Sequence, residues 1–318
     1  MSKLKDVFFK AGGFDLLKQY WRNGVLGSAF SQFILLGKSR TALEILRLVT
    51  TLKTKQHLAK KYGNVLKLFN AKWQENLPHC KRKTVWIFWW QGEEAMPPLV
   101  RKCYESVKEN LKNWEIVLLS EKNYQQYADF PIYILEKLQN GITLTHFSDL
   151  LRLELLIKHG GLWLDATVLC TSSNIPLSIL NSDLFMFRPQ KPGADGKAIT
   201  MSSWLMWAST NNRVLMATQA MLYKYWQKHD SLCDYFLLHH FISIIMDFYV
   251  EDAKLIPPFC NSVPHILQLH LFDQYDETYW HDLKQMTCFH KLSYKLEKEK
   301  MEKNGTYFDI IINKNKHE

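Results

Sequence analysis

From Thr41 to Phe69, apolar side chains recur at three- and four-residue steps: Leu43, Leu46, Val49 or Thr50, then Leu58, Tyr62, Val65 and Phe69. Arg47, Lys53, Lys55, Lys60, Lys61 and Lys67 fill much of the rest. That period predicts an amphipathic helix with a basic face. At Thr84 the pattern changes. Thr84-Val-Trp-Ile-Phe-Trp-Trp90 is a nearly continuous apolar run stopped by Gln91-Gly92, and reads as a buried strand followed by a turn. Pro97 and Pro98 open a helix to about Leu111, Trp114 to Leu119 is a second buried strand, and Glu121 to Tyr127 starts another helix. Strand, helix and strand at this spacing make a βαβ unit and so a parallel sheet. Nucleotide ligands bind such sheets beyond the carboxyl ends of the strands, around Trp89 to Gly92.

A helix follows from about His146 to His159, with Thr145 as its N-cap and Gly160-Gly161 ending it. Leu162-Trp-Leu-Asp165 is a short strand that runs an apolar register straight into a carboxylate. Strands are expected at 184–187 and 203–208, helices at 212–227 and 234–249, and an exposed helix over the Lys/Glu-rich stretch from Lys291 to Asn304.

The 318 residues allow one large α/β domain with a smaller addition, and 47% apolar residues exclude wholesale disorder. Aromatic residues are more numerous than a core needs, which points to stacking surfaces or a membrane-facing patch. Charge divides the chain. Residues 1–83 hold 17 Lys and Arg against four Asp and Glu, whereas the formal charge of the whole is only +9. We therefore divide the chain into a basic helical extension (1–83), an α/β domain (84–290) and a C-terminal basic motif with a charged tail (291–318). The basic helix can lie on the domain with a solvated face, meet an anionic membrane surface, or bind nucleic acid. No RNP aromatic pair or zinc spacing supports the last, and no nucleic-acid partner is expected. Six widely spaced cysteines without a C-x-x-C pair fit reduced thiols and a cytosolic setting. The start lacks an apolar signal region, and the longest apolar stretch, Phe30 to Leu36, is too short to span a bilayer. A soluble or peripheral protein is expected.

The chemistry concentrates in His146-Phe-Ser-Asp149-Leu-Leu-Arg152 and His159-Gly-Gly-Leu-Trp-Leu-Asp165-Ala-Thr167. Asp149 and Arg152, three apart, share a helix face and could be no more than a surface ion pair. Asp165 is harder to dismiss, because a carboxylate at the end of a buried strand needs a cation, a metal or a substrate hydroxyl. The Gly-Gly turn lets helix and strand pack closely and gathers the three side chains into one cleft. Trp89 and Trp90 can stack a base, or pack in the core. His239-His240, on an apolar helix, reads as core histidines or as groups near an acceptor.

These segments resemble the capsular polysaccharide synthesis branch of the DxD-type sugar transferases. The resemblance rests on Ser148-Asp149 with Arg152, Gly160-Gly161 with Asp165-Ala166-Thr167, Lys291-Leu-Ser-Tyr294-Lys295 and Trp86-Ile-Phe-Trp-Trp-Gln-Gly92, and it covers roughly residues 84–295. It implies a GT-A-like (Rossmann-like) mixed α/β sheet flanked by helices, a nucleotide-sugar donor, and glycosyl transfer with retention. It places Asp149 and Arg152 on donor-sugar hydroxyls, Asp165 on sugar or metal, and Trp89, Trp90, Gln91, Gly92, Lys291 and Lys295 around the donor. The implied cofactor is a divalent metal, Mn or Mg, on the diphosphate, with Asp165, Thr167 and His290 as candidate ligands. One position departs from the pattern: Thr167 stands where the second Asp is usual, and His290, Lys291 and Lys295 are the alternative sources of charge.

The resulting expectation is a hexosyltransferase on the inner face of the plasma membrane, held peripherally by its N-terminal helices. It would extend a lipid-linked glycan in capsule or exopolysaccharide synthesis. A sugar-phosphate transferase, and a degenerate transferase acting as a non-catalytic assembly partner, are the rival readings.

Overall fold

The structure is a computed structural model that describes residues 13–37, 39–74, 77–190 and 198–313. Residues 1–12 of the basic extension and the end of the charged tail lie outside them. Among the described residues three helices come first, α1 (Gly13–Arg22), α2 (Leu26–Leu36) and the 33-residue α3 (Arg40–Lys72). A mixed α/β body follows. Its five-stranded sheet runs in the order β2 (Glu115–Leu119), β1 (Thr84–Phe88), β3 (Gly161–Asp165), β6 (Leu205–Ala208), β5 (Leu184–Met186). The pairs β1/β2 and β1/β3 are parallel, and β6 is antiparallel to both its neighbours. Helix α4 (Pro98–Asn110) connects β1 to β2, as the βαβ reading requires. A separate antiparallel pair joins β4 (Val168–Cys170) to β7 (Phe289–Lys291).

Between β2 and β3 the chain forms α5 (Ile132–Asn140) and α6 (Leu144–His159). The expected helix over 121–127 is only a 3₁₀ turn at Tyr124–Gln126. Helix α6 starts earlier than the sequence pattern indicates: Thr143, not Thr145, is the N-cap, its hydroxyl accepting from the His146 amide at 3.3 Å. At its other end, Gly160 (φ +70°) and Gly161 (φ +102°) turn the chain into β3. A Cβ on Gly161 would meet the Thr84 carbonyl oxygen at 2.5 Å, so only glycine lets the helix end press against β1. The Trp86 indole closes this corner by donating to the Gly160 carbonyl at 2.8 Å.

Every residue of β1 is buried, as its continuous apolar run predicts. A short helix, α7 (Leu177–Asn181), leads into β5, and helices α8 (Arg213–Lys228) and α9 (Leu237–Phe248) cover the body on the side of α3. There Tyr62 meets the Phe241 ring at 5.4 Å, and Leu58, Tyr62 and Leu66 join the main core. The second half of α3 is thus packed into the α/β body, across the division at residue 83. Lys55 is not on a solvated face either: it is buried, 2.6 Å from Asp247.

The chain closes with short helices at Val250–Leu255 (α10), Ile266–His270 (α11), Glu277–Met286 (α12) and Lys298–Met301 (α13). A second core of Leu99, Cys103, Leu169, Leu283, Leu292 and Phe308 seats β4 and β7. The expected helix from Lys291 to Asn304 is reduced to α13, because Lys291 is drawn into β7 and Leu292 is buried in this core. No helix of the described residues is long and apolar enough to cross a membrane.

Candidate active site

Parallel pairing sets Phe88 beside Asp165, so β1 and β3 end together and deliver Trp89 and Asp165 to the same sheet edge. A cleft of about 610 Å³ opens there. Trp89, Trp90, Gln91, Arg152, Asp165, Thr167, Lys291 and Lys295 all line it. Three other candidates do not. Asp149 stands behind Arg152, Gly92 serves the turn with its amide donating to the Trp89 carbonyl, and His290 faces away.

Arg152 is the centre of the constellation. It is 4% exposed, and its guanidinium lies 3.1 Å from Asp149 Oδ1 and 3.4 Å from Asp165 Oδ1. It also donates to Ser148 Oγ at 2.9 Å and to the Ser203 carbonyl. The Trp163 ring lies 4.9 Å from the guanidinium, a cation–π distance. Burial alone would raise the Asp149 carboxyl, but Arg152 and the hydrogen bond with His146 outweigh it and hold the group below its ordinary value. Asp149 is therefore a buried anion that orients Arg152, rather than a wall of the cleft.

Asp165 is the more open carboxylate. Trp163 Nε1 donates to its Oδ1 at 3.1 Å, and Lys291 Nζ stands 3.5 Å from its Oδ2. Lys291 arrives by strand pairing opposite Val168, and its ammonium donates to Thr167 Oγ1 at 2.6 Å. Side chains alternate along a strand, so His290 points the other way. There its Nε2 is 3.2 Å from Thr171 Oγ1, its ring lies against Trp280, and burial pushes it down to about 4. His290 is thereby removed from the candidate metal ligands.

The remaining residues do not fit a divalent cation. Mg and Mn sites need several oxygen ligands at short range, usually with more than one carboxylate. Among the described residues Asp165 is the one carboxylate on the cleft wall, with Arg152 and Lys291 already beside its two oxygens. Among the described residues, no three His, Cys, Asp or Glu side chains converge as a metal site. A cation bridging Asp165 and Thr167 would also face the Lys291 ammonium. At 4 Å even unit charges repel by about 4 kcal/mol in an effective dielectric of 20.

The aromatic residues wall the cleft. Trp90 packs against Phe88 and Phe147, so it belongs partly to the core, whereas Trp89 meets Tyr294 edge-on at 5.4 Å. The Trp89 indole N–H is buried and has no acceptor among the described residues. His239 adjoins the network through Ser203, its Nε2 3.2 Å from Ser203 Oγ, and burial lowers it to about 4. His240 is core, 3.5 Å from Asp234. Sequence reasoning missed Trp163, although it lies two positions before Asp165 on one strand face. It placed Ser148 in the motif without a role, and the structure sets that hydroxyl on Arg152, one turn on.

The family model for the capsular polysaccharide synthesis proteins matches residues 40–311, including every element of this cleft. The chain belongs to that family. The match begins with α3, whose Leu58, Tyr62 and Leu66 are buried in the core of this chain's α/β body. Over 107 residues, 30% of this chain, it is 36% identical to the O-glycosyltransferase braB of Annulohypoxylon truncatum. The alignment spans 25% of that relative's length. The solved PaToxG glycosyltransferase is similar over 81% of this chain and 95% of its own, at 14% identity and a TM-score of 0.35. At that distance the likeness assigns nothing to this family member.

Proposed function

We propose that this chain is a retaining glycosyltransferase of GT-A-like architecture that moves a hexose from a nucleotide-sugar donor to a lipid-linked glycan in capsule or exopolysaccharide synthesis. The observation that carries the reading is the joint placement of Arg152, Asp165 and Lys291 in an aromatic-walled cleft at the carboxyl ends of β1 and β3. Family membership and the glycosyltransferase name of the Annulohypoxylon truncatum relative support it. Trp89 and Trp90 wall the base, Lys291 and Lys295 face the diphosphate, and Arg152 and Asp165 hold sugar hydroxyls. The bond from the anomeric carbon to the diphosphate breaks with its electron pair left on oxygen. The acceptor oxygen bonds that carbon, and its proton passes to the departing phosphate oxygen. The N-terminal helices would hold the enzyme peripherally on the cytoplasmic membrane face.

The test is a thermal-shift screen of the full chain against nucleotide sugars, followed by mass spectrometry of products formed on a glycan acceptor. A hexose mass added to the acceptor is expected. A hexose-phosphate increment would favour the sugar-phosphate transferase, and absence of any donor consumption would favour the assembly partner.

A further inference from the structure

Three cations, Arg152, Lys291 and Lys295, line the cleft against one carboxylate, Asp165. A site that binds a metal diphosphate through carboxylates carries the opposite balance, because the acids must first attract the metal. The position that would share a metal with Asp165 is Thr167, and its hydroxyl is taken by Lys291 Nζ at 2.6 Å. The same ammonium donates to the Leu292 carbonyl at 3.2 Å. Among the described residues its third N–H has Asp165 Oδ2 near it, at 3.5 Å, leaving room for a stronger anionic acceptor. The placement is built rather than accidental. Val168 pairs with Lys291, the Leu292 amide donates to the Thr167 carbonyl at 2.9 Å, and Leu292 is buried in the second core.

We propose that the Lys291 ammonium, together with Lys295, takes the place of a divalent cation, so that this protein binds and releases a nucleoside diphosphate without metal. The inference rests on the glycosyltransferase reading and deepens it. When the anomeric C–O bond breaks, the electron pair settles on the β-phosphate oxygen, and Lys291 neutralises it with Lys295, which lines the same cleft. The threonine follows from the lysine, because an Asp at 167 would bind the ammonium as a salt bridge and withdraw it from the phosphate.

Calorimetric titration of the full chain with UDP and with GDP, in EDTA and then in excess Mn²⁺ or Mg²⁺, tests this directly. Binding of one nucleotide in EDTA within about threefold of its affinity with metal is expected. Lys291→Met keeps the length of the aliphatic stem and should weaken that binding at least tenfold, with no rescue by metal. Lys291→Arg should retain most of it and serves as the check on folding. Binding that appears only with metal, or a folded Lys291→Met protein with unchanged affinity, overturns the assignment while leaving the donor site standing. Failure of both nucleotides under every condition overturns the assignment together with the donor reading.

Discussion

The indole N–H of Trp226 donates to His146 Nε2 at 2.9 Å, and this bond decides which imidazole nitrogen carries the proton. An indole can only donate, so Nε2 accepts and the proton sits on Nδ1. Nδ1 faces Asp149 Oδ2 at 3.3 Å, Asp149 holds Arg152 at 3.1 Å, and Arg152 reaches Asp165 at 3.4 Å. A relay of buried polar groups thus runs from α8 through α6 to the strand-end carboxylate of β3. Trp226→Phe should remove the donor while keeping much of the ring volume. The expected result is about 1–2 kcal/mol of lost stability and a fall in kcat/KM of about tenfold as Arg152 loosens. Denaturant unfolding and steady-state kinetics check it, and unchanged kinetics in the folded variant would remove the relay from the mechanism.

Asp149→Ala strands a guanidinium that is almost wholly buried. Breaking such a pair from one side costs about 3–5 kcal/mol, although Asp165 remains to compensate part of the charge. Arg152→Ala should abolish the same function by a different route. Because the two residues act as one group, the double variant should lose little more turnover than the worse single variant. A double-mutant cycle in kcat/KM measures this. Additive losses would return the pair to a simple structural role.

Asp165→Asn should behave differently. The side chain is 28% exposed and the substitution conserves its volume, so thermal stability should barely change. Donor turnover should fall by about 100-fold or more, because the lost charge orients Arg152 and Lys291 as well as the sugar. Near-normal turnover in the folded variant would end the assignment.

Much of this site is legible in the chain. The three-residue spacing of Asp149 and Arg152, and a buried strand that ends on Asp165, are local patterns that point to one cleft. What local pattern cannot supply is pairing at a distance. Lys291 meets Thr167 across 124 positions because β4 and β7 pair, and the same pairing defeats the helix expected over a Lys/Glu-rich stretch. Ser203 comes from an element far from α6 and gives no sequence signal, and the His pair at 239–240 is visible in the chain but not which member meets Ser203. Thr143 and Thr145 are chemically equivalent caps, and only the backbone geometry chooses between them. Lys55 carries the commonest mark of a solvated residue, yet Asp247 on a neighbouring helix lets it turn inward.

His290 gives the fold a pH dependence that is separate from the cleft. Burial lowers it to about 4, against about 6.5 in an unfolded chain. Above pH 6.5 it is neutral in both states and contributes no slope. Between pH 6.5 and 4 the unfolded chain binds a proton that the folded chain refuses, so stability falls as pH falls, by about 3 kcal/mol in all. Below pH 4 both states are protonated and the slope ends. His290→Gln can keep the contact with Thr171 and cannot titrate, so its unfolding midpoint should decline less between pH 6.5 and 4. His239, shifted in the same direction, accounts for a remaining slope. Parallel declines in the two proteins would show that His290 titrates normally.

The proposed membrane attachment becomes specific once the buried lysine is set aside. On α2, Phe30, Phe33 and Ile34 are exposed at helical spacing, and on α3 Ile45, Leu48 and Leu52 are exposed along one side. The two helices pack together, and Trp21 on α1 is 75% exposed. Lys53, Lys60 and Lys67 recur every seven residues on the outer side of α3, opposite Leu58 and Tyr62. Exposed apolar side chains on helices that also carry exposed lysines suit shallow insertion into an anionic bilayer, where each lysine contributes about 1 kcal/mol. Lys53→Glu, Lys60→Glu and Lys67→Glu together should therefore release the protein from anionic vesicles. Activity on a short soluble acceptor should persist, because none of the three touches the cleft. Wild-type binding should weaken as salt rises, since screening confines the field to about 10 Å at 0.1 M. Replacing Phe30, Ile34 and Leu48 by Ser should also weaken binding, but by an amount that salt changes little, because it removes the inserted surface rather than the charge. Vesicle sedimentation across a salt series separates the two contributions. Equal binding to neutral lipid, or binding indifferent to both sets of substitutions, would rule out this surface.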